Sequence, residues 1–138
     1  MNDAYRSFVI VNPASAAGAT GRRWDRIAKL LRSSLGNFEH AATQKPGEAA
    51  ALSRSALREG FEMVVSVGGD GTLNEVVGGF FEGSAPIAPQ AVLGVVAVGT
   101  GSDFGRTIGQ GGSGIRVRAT RRTKHAFDRC RYRAIYRL

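Results

Sequence analysis

The 138-residue sequence has few residues that could staple or anchor it. It contains one cysteine, Cys130, so no internal disulfide can form, and a reducing cytoplasm is the simplest setting. Its two histidines, His40 and His125, are far apart and have no cysteine or histidine companions at metal-binding spacing, which argues against a zinc site. Long hydrophobic runs are absent. "FVIV" near the N-terminus is too short for a signal peptide, and nothing approaches the roughly 18 apolar residues of a membrane span. No G-x-x-x-x-G-K-[ST] occurs, which excludes a P-loop. "GTGSDFG" lacks G-x-G-x-x-G spacing, so the dinucleotide fingerprint is missing too. There is no internal repeat.

Acidic residues are scarce at one end only. The formal charge is +8, but residues 1–109 carry ten Lys/Arg and ten Asp/Glu and are neutral. Residues 110–138 carry nine Lys/Arg against Asp128 alone, which supplies the whole excess. The basic character therefore describes a C-terminal segment, opened by the glycine-rich "QGGSG", and says nothing of the rest.

What is present is an alternation of strand-like and helix-like segments. "YRSFVIVNP" is a nearly continuous apolar run, suited to a strand covered on both faces. "RRWDRIAKLLRSSLG" places Trp24, Ile27, Leu30, Leu31 and Leu35 at helical spacing, with Gly36 as a stop. "NFEHAAT" reads as a second strand, and "PGEAAALSRSALREG" as a helix with its proline at the start. "FEMVVSVGG", "TLNEVVGGFFEG" and "AVLGVVAVG" continue as strand, helix and strand, with "GSAPIAP" as a loop. This order predicts βαβ units and a parallel sheet of the α/β class, with ligands bound beyond the carboxyl ends of the strands. "NPASAAG", "TQKPGE", "GGDGTLNE" and "GTGSDFGR" all fall at those ends.

"GGDGTLNE" carries the most chemistry. A strand, a glycine turn and a helix start present backbone N–H groups to an anion. Yet Asp70 stands among the glycines, where a carboxylate about 4 Å from a phosphate charge is repelled by roughly 1–4 kcal/mol at effective dielectrics of 80 to 20. One reading is purely structural: Thr72 and Glu75 stand in the relation of a capping box, and the glycines simply allow the turn. It leaves Asp70 as no more than a turn residue. The other reading puts a divalent cation between acid and phosphate, or an acceptor hydroxyl beside the acid, and makes this a phosphotransferase site.

"VNPASAAG", "TQKPGEA", "SVGGDGTLNEVVGG" and "GVVAVGTGSDFGR", in this order over roughly residues 6–109, resemble the catalytic domain of the diacylglycerol kinase family, including YegS-like lipid kinases and sphingosine kinases. The resemblance implies a three-layer parallel-sheet nucleotide-binding domain over residues 1–109. It further implies Mg²⁺-assisted transfer of the ATP γ-phosphoryl group to a lipid hydroxyl, diacylglycerol or sphingoid-like. By position, Asn12 and Thr43 would contact the nucleotide, Gly68, Gly69, Asp70, Gly71, Thr72, Leu73 and Asn74 would wrap its phosphates, and Thr100 would complete the pocket. Asp70 and Asp103 would be the catalytic acids, handling the metal partly through water. Ser102 stands where the family commonly has asparagine. "GGDGT" is shared with NAD kinases, which leaves an NAD kinase-like phosphotransferase as the enzymatic alternative and a non-catalytic nucleotide-binding fragment as the other.

Family members are about twice as long, and their β-rich second domain supplies a proposed glutamate base and much of the lipid cleft. Residues 110–138 are accordingly expected to be a basic linker or tail, a truncated or frameshifted start of that domain, with "AFDRCRYRAIYRL" as at most an edge strand. On this expectation the chain alone has little lipid kinase activity, and uncovered apolar surface would favour self-association. Peripheral contact with a membrane surface suits the cationic segment, whereas specific nucleic-acid binding lacks a recognisable module.

Overall fold

The computed structural model describes residues 5–98 and the short segments 118–119 and 131–134. In chain order the elements are β1 (Ser7–Val11), α1 (Ala19–Arg22), α2 (Trp24–Leu35), β2 (Phe38–Ala42), α3 (Glu48–Arg58), β3 (Met63–Gly68), α4 (Asp70–Gly78), β4 (Phe81–Glu82), β5 (Ala85–Pro86), β6 (Val92–Ala97), β7 (Arg118–Ala119) and β8 (Arg131–Ala134). The main sheet has the order β2-β1-β3-β6-β8-β7. Strands β2, β1, β3, β6 and β8 are parallel, and β7 pairs antiparallel with β8 at the edge. The basic segment thus adds β8 beside β6 and β7 beyond it, so the strand in "AFDRCRYRAIYRL", expected at most at the edge, is flanked on both sides.

Period-two alternation of β-branched residues builds a core on each face of the sheet. Ile10, Val64, Leu93 and Val95 face α3 and α4, meeting Ala49, Ala56, Leu57, Leu73, Val76 and Val77. Val9, Val11, Met63, Val65, Val67, Val92 and Val96 face α2, meeting Ile27 and Leu31. Three layers result, as the alternation predicts. Leu30 is only half-buried, and Ala28 takes a buried place on α2 instead.

Two local expectations are corrected. The third helix starts at Glu48, not at the proline: Gly47 takes a left-handed conformation (φ 84°) that Pro46 cannot supply. The Glu48 carboxylate then accepts hydrogen bonds from the backbone N–H of Gln44 (2.7 Å) and Lys45 (3.3 Å). "GSAPIAP" is not wholly loop, since Phe81–Glu82 and Ala85–Pro86 pair as a small antiparallel hairpin.

Helices α3 and α4 touch where Gly79 follows α4. A Cβ there would lie 2.4 Å from the Ala50 carbonyl oxygen and 2.6 Å from Ser53 Cβ. Beside this contact the buried Ser53 hydroxyl donates to the Val76 carbonyl (2.9 Å). Since a backbone carbonyl cannot step aside cheaply, Gly79→Ala is predicted to destabilise the fold by about 1–3 kcal/mol in urea unfolding. Gly78→Ala, which meets nothing within 4 Å, is the control and should not destabilise. Equal losses would contradict this packing.

Candidate active site

The sheet order reverses between β1 and β3: the chain leaves β1 outward to β2, then crosses back to β3 on the other side. In open α/β sheets the crevice at such a point, outside the carboxyl ends of the strands, takes the ligand. Asn12 follows β1 and Gly69 follows β3, so the two crossovers meet there. Backbone bonds continue the ladder past the strand ends. Asn12 N donates to Val67 O (2.9 Å), Thr43 N to Val11 O (2.8 Å), and Val98 N to Gly68 O (3.2 Å). Asn12, Thr43 and the β3–α4 turn therefore share one edge.

The first crossover is a tight polar loop. Its Asn12 Oδ1 accepts from the Ala14 N–H (3.1 Å), and the Ser15 hydroxyl donates to the Asn12 carbonyl (2.7 Å). Three successive residues then have positive φ: Ala16 (53°), Ala17 (54°) and Gly18 (83°). The left-handed region costs an L-residue roughly 1–2 kcal/mol, so two alanines there are held by their surroundings. Among those surroundings, the Gly18 N–H reaches the Ala14 and Ser15 carbonyls (3.1 and 3.2 Å), and the Arg22 guanidinium donates to the Ala17 carbonyl (3.3 Å).

The second crossover removes the capping-box part of the structural reading of "GGDGTLNE". Helix α4 begins at Asp70 with Gly69 as its N-cap, and no side chain caps it. Thr72 is therefore the third helical residue and not a cap. Its Oγ1 accepts a hydrogen bond from Asn12 Nδ2 (3.0 Å) in the other crossover. The first intrahelical bond is Leu73 N to Gly69 O (3.1 Å), and the geometry of a helix gives its earlier N–H groups no intrahelical carbonyl. With the N-terminal end of the macrodipole, this is a place where an anion is stabilised.

The three glycines of the turn do different work. Gly68 is buried, and a Cβ on it would lie 2.8 Å from Thr72 Oγ1, 3.1 Å from Thr72 Cβ and 3.3 Å from Ser15 Oγ. Its missing side chain makes room for the contact between the crossovers. A Cβ on Gly69 or Gly71 would meet nothing within 4 Å, so these two leave space for a ligand beside the backbone.

Of the residues singled out in the sequence, Asn12, Gly68 and Thr72 come into direct contact. Asp70 and Asn74 are exposed and share a helix face through their i, i+4 spacing. Leu73 points the other way: it is 5% exposed and packs in the core, so its side chain does not wrap a ligand. Thr43 is half-buried at the end of β2. Thr100 and Asp103, with Ser102, lie outside the described residues. Sequence reasoning missed Ser15 and Thr20, whose hydroxyls are 2.6 Å apart; the only cue was a small-residue loop. Among the described residues no three His, Cys, Asp or Glu cluster as a metal cage. An exposed carboxylate such as that of Asp70 nevertheless fits Mg²⁺, which takes one or two carboxylates and fills its other positions with water and substrate phosphate. No helix among the described residues is long and apolar enough to cross a membrane.

A model of the diacylglycerol kinase catalytic domain family matches residues 6–131, reaching beyond the motifs into the basic segment. A diacylglycerol kinase of Staphylococcus carnosus (strain TM300) is 41% identical over 105 residues, covering 75% of this chain and 32% of that protein. One from Staphylococcus aureus (strain Newman) is 38% identical over 104 residues, covering 75% and 31%. The chain thus spans about a third of the length of the curated relatives it matches. The crystal structure of a diacylglycerol kinase from Bacillus anthracis str. Sterne superposes with a TM-score of 0.64 at 22% identity, over 78% of this chain and 38% of that one, a likeness of fold.

The glycine assignments can be tested by stability. Gly68→Ala is predicted to cost about 1–3 kcal/mol in urea unfolding, because Thr72 and Ser15 must be pushed apart. Gly71→Ala, inside the first turn of α4 with open space around it, should be neutral or stabilising by up to about 1 kcal/mol. The reverse ranking would refute the division of roles.

Proposed function

The chain belongs to the diacylglycerol kinase catalytic domain family, and from that premise we propose that residues 5–98 carry the nucleotide side of an ATP-dependent lipid kinase. The observation that carries this reading is the uncapped start of α4 at the sheet's reversal point, with Gly69 and Gly71 open and an acid at the first helical position. Backbone N–H groups of that turn bind triphosphate oxygens, and Asn12 and Thr43 flank them from the neighbouring strand ends. Lipid phosphorylation is proposed for the protein as a whole, and triphosphate binding for these residues, which span about a third of the matched relatives.

In the proposed reaction the acceptor hydroxyl oxygen bonds to the γ-phosphorus as the bond to the bridging oxygen breaks. ADP leaves, and the hydroxyl proton departs to a base. Such transfers depend chiefly on positioning and charge neutralisation. Asp70 would hold Mg²⁺, with Asp103 as its proposed second carboxylate. When bound, the ion neutralises phosphate charge. Asp70 itself repels a bare triphosphate, so this one side chain makes nucleotide binding conditional on the metal. Membrane contact, self-association and a cytoplasmic setting belong to the same proposal.

Calorimetric titration of the 138-residue chain with ATP tests this directly. For the wild type, Mg²⁺ should strengthen binding. Asp70→Asn should bind metal-free ATP about fivefold more tightly than wild type, the loss of roughly 1 kcal/mol of repulsion, and should lose most of the Mg²⁺ increment. Absence of ATP binding, or an identical Mg²⁺ response in both proteins, would overturn the assignment.

A further inference from the structure

Hydrogen bonds join the two crossovers from α1 to α4, and counting protons gives the series a direction. Ser15 has one hydroxyl proton and donates it to the Asn12 carbonyl at 2.7 Å. In the 2.6 Å contact between the Ser15 and Thr20 hydroxyls, Thr20 must therefore be the donor. The Asn12 amide has a fixed orientation, because its Oδ1 accepts from the Ala14 N–H at 3.1 Å. Its Nδ2 consequently faces Thr72 and donates to Oγ1 at 3.0 Å. The Ser15 bond ends on the Asn12 main-chain carbonyl and so acts on the side-chain amide by fixing the backbone that carries it. Thr72 Oγ1 accepts from that amide, and among the described residues no acceptor takes the Thr72 proton.

The two ends are buried: Thr20 is 0% exposed and Thr72 6%. Valine would fill the space of Thr20 equally well, so packing alone does not call for a hydroxyl there. A buried hydroxyl without a partner is costly, and here the partner is the loop that holds Ala16 and Ala17 in the left-handed region.

We propose that Thr20 and Ser15 are positioning residues that act through Asn12 to hold Thr72 Oγ1 as an acceptor, which keeps the Thr72 hydroxyl proton available for an anionic oxygen at the start of α4. The anion is a phosphate oxygen of the triphosphate, and in this respect the inference rests on the function proposed above. Neither Thr20 nor Ser15 touches the anion. Their effect reaches it through the placing of the Asn12 backbone, which carries the amide that meets the Thr72 hydroxyl.

The test uses the full chain, inorganic tripolyphosphate and ATP as probes, and two readouts. Thr20→Val should lower affinity for both probes about tenfold, and Thr20→Ser, which restores the hydroxyl, should return it to within about twofold of wild type. In amide NMR spectra without ligand, Thr20→Val should shift the Asn12 side-chain NH₂ and the Thr72 amide. A role in stability alone would lower the unfolding midpoint and leave affinity and the Thr72 resonance where they were. That result overturns the proposal, as does a perturbation confined to residues 15–20. Should Thr20→Val fail to fold, Ser15→Ala at its half-buried position is held to the same two readouts. If wild-type protein binds neither probe, the kinase reading fails. The relay is then judged by the ligand-free spectra alone: propagation to Thr72 supports it, and confinement overturns it.

Discussion

One hydrogen bond, from Asn12 Nδ2 to Thr72 Oγ1, ties the loop after β1 to the helix after β3, and the candidate site depends on that tie. The strands beneath are held by apolar burial on both faces, which fixes their ends but not the path of the loops above them. With no side chain closing the helix start, the bond fastens α4 laterally and leaves its N-terminal end facing the crevice. Gly68 is the condition for this arrangement, since any side chain there would drive Thr72 and Ser15 away.

The acid among the glycines of the β3–α4 turn has a geometric counterpart. Thr72 is turned inward to Asn12, Leu73 into the core, and Asp70 and Asn74 outward on the same face. The helix therefore divides its first residues between the packed interior and the exposed surface, and the acid is on the exposed side. Family membership is a separate observation, since the match spans residues 6–131 while the geometry rests on a few residues around two strand ends.

Much of the fold was legible because the strands are β-branched runs buried on both faces, and such runs suit little but a covered parallel sheet. The succession of strands and helices along the chain followed from the alternation, whereas the strand order across the sheet did not. What could not be read was which partner each small polar residue would choose. Thr72 and Glu75 have the spacing of a capping box, but the helix begins two residues before Thr72, and a long-range bond to Asn12 outcompetes the local one. The three glycines of the turn look alike in sequence, and only their surroundings separate Gly68 from Gly69 and Gly71. Ala16 and Ala17 gave no sign of a left-handed turn, because alanine is not a residue that asks for one. Motif matching grouped Leu73 with its polar neighbours, although helical periodicity places it with Val76 and Val77 on the buried face.

A crystal of the chain grown with Mg²⁺ and a non-hydrolysable ATP analogue examines the central claim most directly. The expected result is a triphosphate against the backbone of Gly69 and Gly71, with the ion between it and the Asp70 carboxylate and the Asn12–Thr72 bond intact. A nucleotide seated elsewhere, with the β3–α4 turn empty, would contradict it.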